Sequence, residues 1–177
     1  ILGLGNIGEA VAERASAFGM TVHGVKRTIE AYDGAADAVY RSDSLHEALD
    51  GARLCVLAVP LTPATEGIVG RDELETLADD AIVVNVARGP VLENESLIAA
   101  LDNGDIRAAC LDVTDPEPLP EAHPLWSRDD VFITPHSAGL SEKYHERYPP
   151  LFREQYDRWC SGEQLRHRVV LVGWGGQ

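Results

Sequence analysis

Apolar and polar positions alternate along this chain in two patterns. Short continuous apolar runs occur at Met20–Val25, Leu54–Val59, Ala81–Val86, Ile106–Leu111 and Val131–Thr134. Uninterrupted runs of that length suit strands buried on both faces of a parallel sheet. Helical patterns separate them. Ile7, Val11, Ala15 and Phe18 recur at helical spacing, Asp72–Leu77 is helical, and Glu93–Leu101 reads as a helix ending near Asn103-Gly104. Ser44–Ala48 reads as a short helix with Ser42 or Ser44 as its cap. Ala38–Tyr40 reads as a short edge strand. The β-α-β alternation predicts an α/β fold, a doubly wound parallel sheet between two helical layers.

The first turn carries the most informative motif. Gly3, Gly5 and Gly8 form G-x-G-x-x-G between an apolar stub and the first helical run. The first glycine permits a tight turn, the second lets backbone approach a pyrophosphate, and the third lets helix and strand pack closely. The amides opening that helix then face an anion. This makes the sheet Rossmann-type and the ligand a dinucleotide. At the end of the next strand an NAD site would place an acid on the adenosine ribose. Here stand Lys26 and Arg27, which suit a 2′-phosphate and favour NADP, with NAD possible. The alternative is a solvated loop tip. Only two residues precede Gly3, fewer than the roughly five or six of an ordinary strand. The chain is therefore expected to be a piece of a longer one, or its first strand clipped.

Residues of chemical interest follow the later strands: Pro60, Arg88, Asp112 and His136. In a parallel sheet those strand ends share the edge that holds the glycine turn. An arginine can grip a carboxylate with two parallel bonds, and a histidine can pass a proton near neutral pH. Glu117 stands in a proline- and acid-rich stretch, Thr114–Trp126, expected to hold no regular element. Beside a nicotinamide, Arg, His and Glu describe hydride transfer to a 2-oxo acid. Taken singly, each has a plainer reading: a loop cap for Arg88, a turn cap for Asp112, a surface residue for His136. No zinc spacing, G-x-S-x-G or P-loop is present, so no metal site is expected.

Composition narrows the partners. A net charge of −14 argues against general nucleic-acid binding. Lysine stands only at positions 26 and 143. An acid-rich, lysine-poor surface is expected of a protein working at high salt, where screening removes self-repulsion. No apolar stretch approaches a membrane span. Cys55, Cys110 and Cys160 show no C-x-x-C, and a reducing cytoplasm is expected. Residues 1–140 read as the dinucleotide-binding domain and 141–177 as a C-terminal helix and tail. Pro149-Pro150 are expected to break that helix, and its last residues, RVVLVGWGGQ, look strand-like before turning glycine-rich.

GLGNIG (3–8), VPLTPAT (59–65), NVARGPVLENESLIAAL (85–101), AACLDVTDPEPLP (108–120) and TPHSAG (134–139) occur in that order. Together they resemble the cofactor-binding domain of the D-isomer-specific 2-hydroxyacid dehydrogenases. The resemblance implies Arg88 as the substrate-carboxylate anchor, with Glu117 pairing His136, the catalytic acid–base. It implies cofactor contacts from Gly3, Gly5, Asn6, Ile7, Gly8, Val59, Pro60, Val86, Ala87, Asp112 and Gly139. It also implies a homodimer, with Trp126 at or near the subunit contact. The basic residue at position 26 resembles the glyoxylate and hydroxypyruvate reductases among them, and Glu117 argues against formate as substrate. The family's second, substrate domain comes largely from N-terminal sequence absent here. A phosphoglycerate dehydrogenase and a nucleotide-sensing corepressor of the same fold remain open.

Overall fold

A computed structural model describes residues 1–29 and 32–166. It divides into two compact units, Ile1–Ala138 and Gly139–Gln177. In the first, strands run over His23–Val25 (β1), Ala38–Tyr40 (β2), Leu54–Leu57 (β3), Ile82–Asn85 (β4), Ala108–Leu111 (β5) and Val131–Ile133 (β6). Helices span Asn6–Ala17 (α1), Leu45–Leu49 (α2), Arg71–Thr76 (α3) and Asn94–Asn103 (α4). The second unit contains Tyr144–Cys160 (α5).

All strand pairs are parallel. β2 pairs with β1, and β3, β4, β5 and β6 pair in sequence order. Leu2 bridges the two groups, opposite Val25 on one side and Leu57 on the other. The chain therefore leaves the middle of the sheet and winds both ways, as the alternating pattern predicts. Every strand's carboxyl end lies on one edge, with the glycine turn at the switch point.

Helices cover both faces. Leu45, Leu49, Leu74 and Leu97 from α2, α3 and α4 bury themselves with Leu2, Leu57 and Val83 in the larger core. A smaller core under α1 holds Leu4, Ala12 and Val22, with Val39 packed against it. The inward side of α1 is made of small residues, Gly8 and Ala12, while Ile7 and Phe18 at its two ends are exposed. Close approach explains this: a Cβ on Gly8 would lie 2.0 Å from the Gly3 carbonyl oxygen. Arg128 ties α4 to the start of β6, reaching Asp102 at 2.5 Å and Asp130 at 2.8 Å.

Three local expectations need correction. Neither Ser42 nor Ser44 caps α2 through its side chain; Ser42–Ser44 form a 3₁₀ turn leading into it. The proline-rich stretch contains one short regular piece, a 3₁₀ turn over Pro124–Ser127, capped by His123 accepting from the Leu125 amide. In the second unit α5 runs through Pro149 and Pro150 instead of breaking. They are the sixth and seventh residues of the helix, past its first turn, so each forgoes a backbone hydrogen bond there. The residues beyond are braced by pairs one turn apart, Arg153–Asp157 and Glu154–Arg158. The strand-like tail RVVLVGWGGQ lies outside the described residues. Among the described residues no helix is long and apolar enough to cross a membrane.

Gly8→Ala should lower the unfolding free energy by about 1–3 kcal/mol, because the obstructing atom belongs to backbone that cannot rotate away. A Cβ on Gly5 meets nothing within 4 Å. Gly5→Ala should therefore cost under about 1 kcal/mol in the ligand-free protein. Denaturant titration of both variants checks the contrast.

Candidate active site

The glycine turn opens α1 with no side-chain cap on its first amides. Gly3 adopts φ +96° and packs against the Ala58 carbonyl, where a Cβ would lie 2.8 Å from the oxygen. Gly5 is the N-cap of α1 and offers no side-chain cap. Open space surrounds it, and its φ of −95° is one any residue adopts. Neither strain nor a protein neighbour calls for glycine there, which fits a ligand approaching the backbone at the helix N-terminus. Asn6 and Ile7 open that helix. A cleft of about 490 Å³ continues from the turn along the sheet edge, lined by Ile7, Val59, Pro60, Val86, Ala87 and Arg88.

Lys26 occupies an unexpected place. Its ammonium donates to the Leu4 carbonyl at 3.0 Å, within the glycine turn, and lies 5.7 Å from the Tyr32 ring centre. Arg27, the next residue, is exposed.

Arg88 is set by the residue ending β4. Asn85 is buried, at 1 % exposure, and its amide bridges the following loop. It accepts from the Ala87 amide at 3.0 Å and donates to the Arg88 carbonyl at 3.1 Å. The Arg88 guanidinium is exposed and spends one donor on the Ala87 carbonyl, at 2.6 Å. Sequence reasoning passed over Asn85, although a polar residue closing the run Ile82–Asn85 signals a buried group needing partners.

His136 and Glu117 meet. His136 Nδ1 lies 2.6 Å from Glu117 Oε1, with both side chains part-exposed. Nδ1 thus faces the carboxylate, and Nε2 is left for another partner. Asn94, at the start of α4, donates to the Asp115 carbonyl and so tethers the stretch that carries Glu117. The ends of β4 and β6 flank β5, so Arg88 and His136 are anchored about two strand spacings apart, roughly 10 Å.

Asp112 holds the histidine loop. It is 7 % exposed and accepts from Thr134 Oγ1 at 2.5 Å, the Ser137 amide at 2.8 Å and the Ala138 amide at 2.9 Å. Burial alone would push its carboxyl up, but these three donors outweigh it and hold the group below the usual carboxylate range. The loop needs such an anchor. His136 has φ +51°, the one positive φ outside glycine among the described residues, and that conformation costs on the order of 1–3 kcal/mol unless its surroundings impose it. Gly139 begins the second unit. Among the described residues no cluster of His, Cys, Asp or Glu could hold a metal ion.

Residues 1–138 match the model of the family described as D-isomer specific 2-hydroxyacid dehydrogenase, NAD binding domain. The chain belongs to that family. A D-3-phosphoglycerate dehydrogenase from Methanocaldococcus jannaschii is 38% identical over 170 residues, covering 96% of this chain and 32% of that protein. A glyoxylate/hydroxypyruvate reductase A from Serratia proteamaculans is 39% identical over 141 residues, covering 80% of this chain and 45% of its own length. Among solved structures, a D-isomer specific 2-hydroxyacid dehydrogenase from Xanthobacter autotrophicus Py2, in complex with NADPH and MES, is 37% identical with a TM-score of 0.87. The match covers 96% of this chain and 69% of that one. The chain thus spans less than half the length of each of these two curated relatives.

Asp112 contributes stability that is present above pH of about 4, the ordinary unfolded value, and lost as pH falls through its lowered folded value. Asp112→Asn presents an amide donor to groups that already donate. It should cost about 1–3 kcal/mol at neutral pH and flatten the acid limb of the stability curve. Urea titrations between about pH 3 and 7 read both effects.

Proposed function

We propose that this chain is the cofactor-binding part of an NADP(H)-using oxidoreductase that interconverts small 2-oxo acids and D-2-hydroxy acids, with glyoxylate and hydroxypyruvate as its substrate class. The observation that carries this reading is the His136–Glu117 contact of 2.6 Å on the sheet edge that also bears Arg88 and the glycine turn. Gly5 and the first-turn amides of Asn6 and Ile7 would take the pyrophosphate, and the cleft lined by Val59, Pro60, Val86 and Ala87 the nicotinamide. Bound there, the nicotinamide supplies or accepts the hydride.

The chain's own residues do the rest. Arg88 grips the substrate carboxylate with two parallel donors, which orients the neighbouring carbonyl. His136, protonated, donates from Nε2 to the carbonyl oxygen as the carbon gains hydride, and takes that proton back in the reverse direction. Glu117 holds Nδ1, fixing the tautomer and offsetting the imidazolium charge. Asp112 is a positioning residue, holding the loop that presents His136.

The phosphoglycerate dehydrogenase among the relatives keeps a second reading, in which 3-phosphohydroxypyruvate is the substrate and its phosphate is met by residues outside this chain. Lys26 and Arg27 support NADP over NAD. The net charge supports small-molecule rather than nucleic-acid partners, and the three free cysteines a reducing, cytoplasmic setting. A homodimer is supported by Trp126 and Phe132, which remain 52% and 65% exposed near the edge strand β6. Trp126 is fixed by its indole N–H donating to the Pro120 carbonyl at 3.0 Å. Interfaces favour such rigid aromatic residues.

In a chain extended to the length of its relatives, His136→Ala should slow glyoxylate or hydroxypyruvate reduction by roughly 10²–10⁴. NADPH binding, followed by fluorescence, should be unchanged. Arg88→Lys should raise KM for the oxo acid more than it lowers kcat. Near wild-type turnover by His136→Ala would instead favour a nucleotide-sensing protein. Light scattering should give a dimer that Trp126→Ala weakens; an unchanged monomer in both would refute that assembly.

A further inference from the structure

We infer that Arg41 is a specificity-determining residue, gripping the phosphomonoester on the adenosine ribose of the cofactor. This rests on the NADP reading above and extends it to a second strand. β1 and β2 pair with Val25 opposite Tyr40, and the Lys26 amide donates to the Tyr40 carbonyl at 3.0 Å. Arg41 therefore stands beside Lys26, one strand spacing away, roughly 5 Å.

Its side is set by alternation. Tyr40 packs against the larger core and Val39 against the smaller core under α1. Arg41 keeps extended backbone, φ −80° and ψ 162°, so it projects to Val39's side, the side of α1 and the glycine turn. Lys26 is on that side too, with its ammonium turned toward the Leu4 carbonyl, which takes one of its three donors. Arg27 and Arg41, at the ends of adjacent strands, are the guanidiniums left at that corner. Among the described residues Arg41 has one loose partner, Asp43, at 3.9 Å, both side chains being largely exposed. Such a pair is worth little, and a phosphate dianion competes for the guanidinium with more charge and two-pronged geometry.

The test uses the full chain with adenosine 2′,5′-bisphosphate and AMP as probes, titrated calorimetrically. Wild type should bind the bisphosphate more tightly than AMP. Arg41→Ala should weaken the bisphosphate about tenfold and leave AMP within about twofold, with an unchanged melting temperature. Arg41→Lys should fall between, because it keeps charge without the fork. Asp43→Asn, which frees the guanidinium, should tighten the bisphosphate alone. If Arg27→Ala loses bisphosphate affinity and Arg41→Ala does not, the inference about Arg41 is overturned while the NADP reading stands. If wild type binds AMP as tightly as the bisphosphate, that reading fails and this inference with it.

Discussion

The parallel pairing of Leu2 with both Val25 and Leu57 is the constraint from which the arrangement follows. One central residue accepts neighbours on both sides, so the chain must leave it, pass over the sheet through α1 and return parallel beside it. Parallel pairing through covering helices then repeats, and each repeat delivers a strand end to the same edge. Glycine turn, Lys26, Arg41, Pro60, Arg88, Asp112 and His136 share that edge although they span most of the first unit. The local rule that strands run parallel thus does what no local sequence signal does: it gathers distant residues.

On that edge the proposed catalytic residue is a strained one held by a buried charge. His136 adopts a positive φ, and the energy to impose it comes from neighbours rather than from the residue itself. Asp112 supplies it by accepting from Thr134 before the histidine and from Ser137 and Ala138 after it. A carboxylate is well suited to the task, since it only accepts, and every group around it donates. Glu117 orients the ring from the other side. Backbone and side chain of His136 are therefore fixed by two different acids on two different segments.

Much of this was legible in the sequence because buried parallel strands write themselves as apolar runs, and the residue after each run marks the functional edge. Arg88, Asp112 and His136 could be placed there by that rule, and the motif order supplied Glu117. What remained hidden has physical causes. Asn85 meets the Ala87 amide and the Arg88 carbonyl after its own strand, and its place in the run marks a buried polar group without saying which groups it meets. The donors to Asp112 lie more than twenty residues downstream. The persistence of α5 through Pro149 and Pro150 runs against the local rule that proline breaks a helix, and the exposed pairs later in the helix are too weak to account for it. Lys26 carries the charge that the motif suggested, but its length lets it fold back onto Leu4, a choice that composition cannot express.

That backward reach of Lys26 bears on how cofactor preference can be re-engineered or drift. On the proposed reading, an exchange at position 26 would alter the charge offered to the ribose and also delete the donor on the Leu4 carbonyl, inside the turn proposed to take the pyrophosphate. Preference and grip are coupled there, so a direct swap passes through a weakened intermediate. Positions 27 and 41 carry their charges on exposed side chains and can be changed without touching the turn. The accessible route from one cofactor to the other therefore begins at the periphery of the site and reaches its central lysine last.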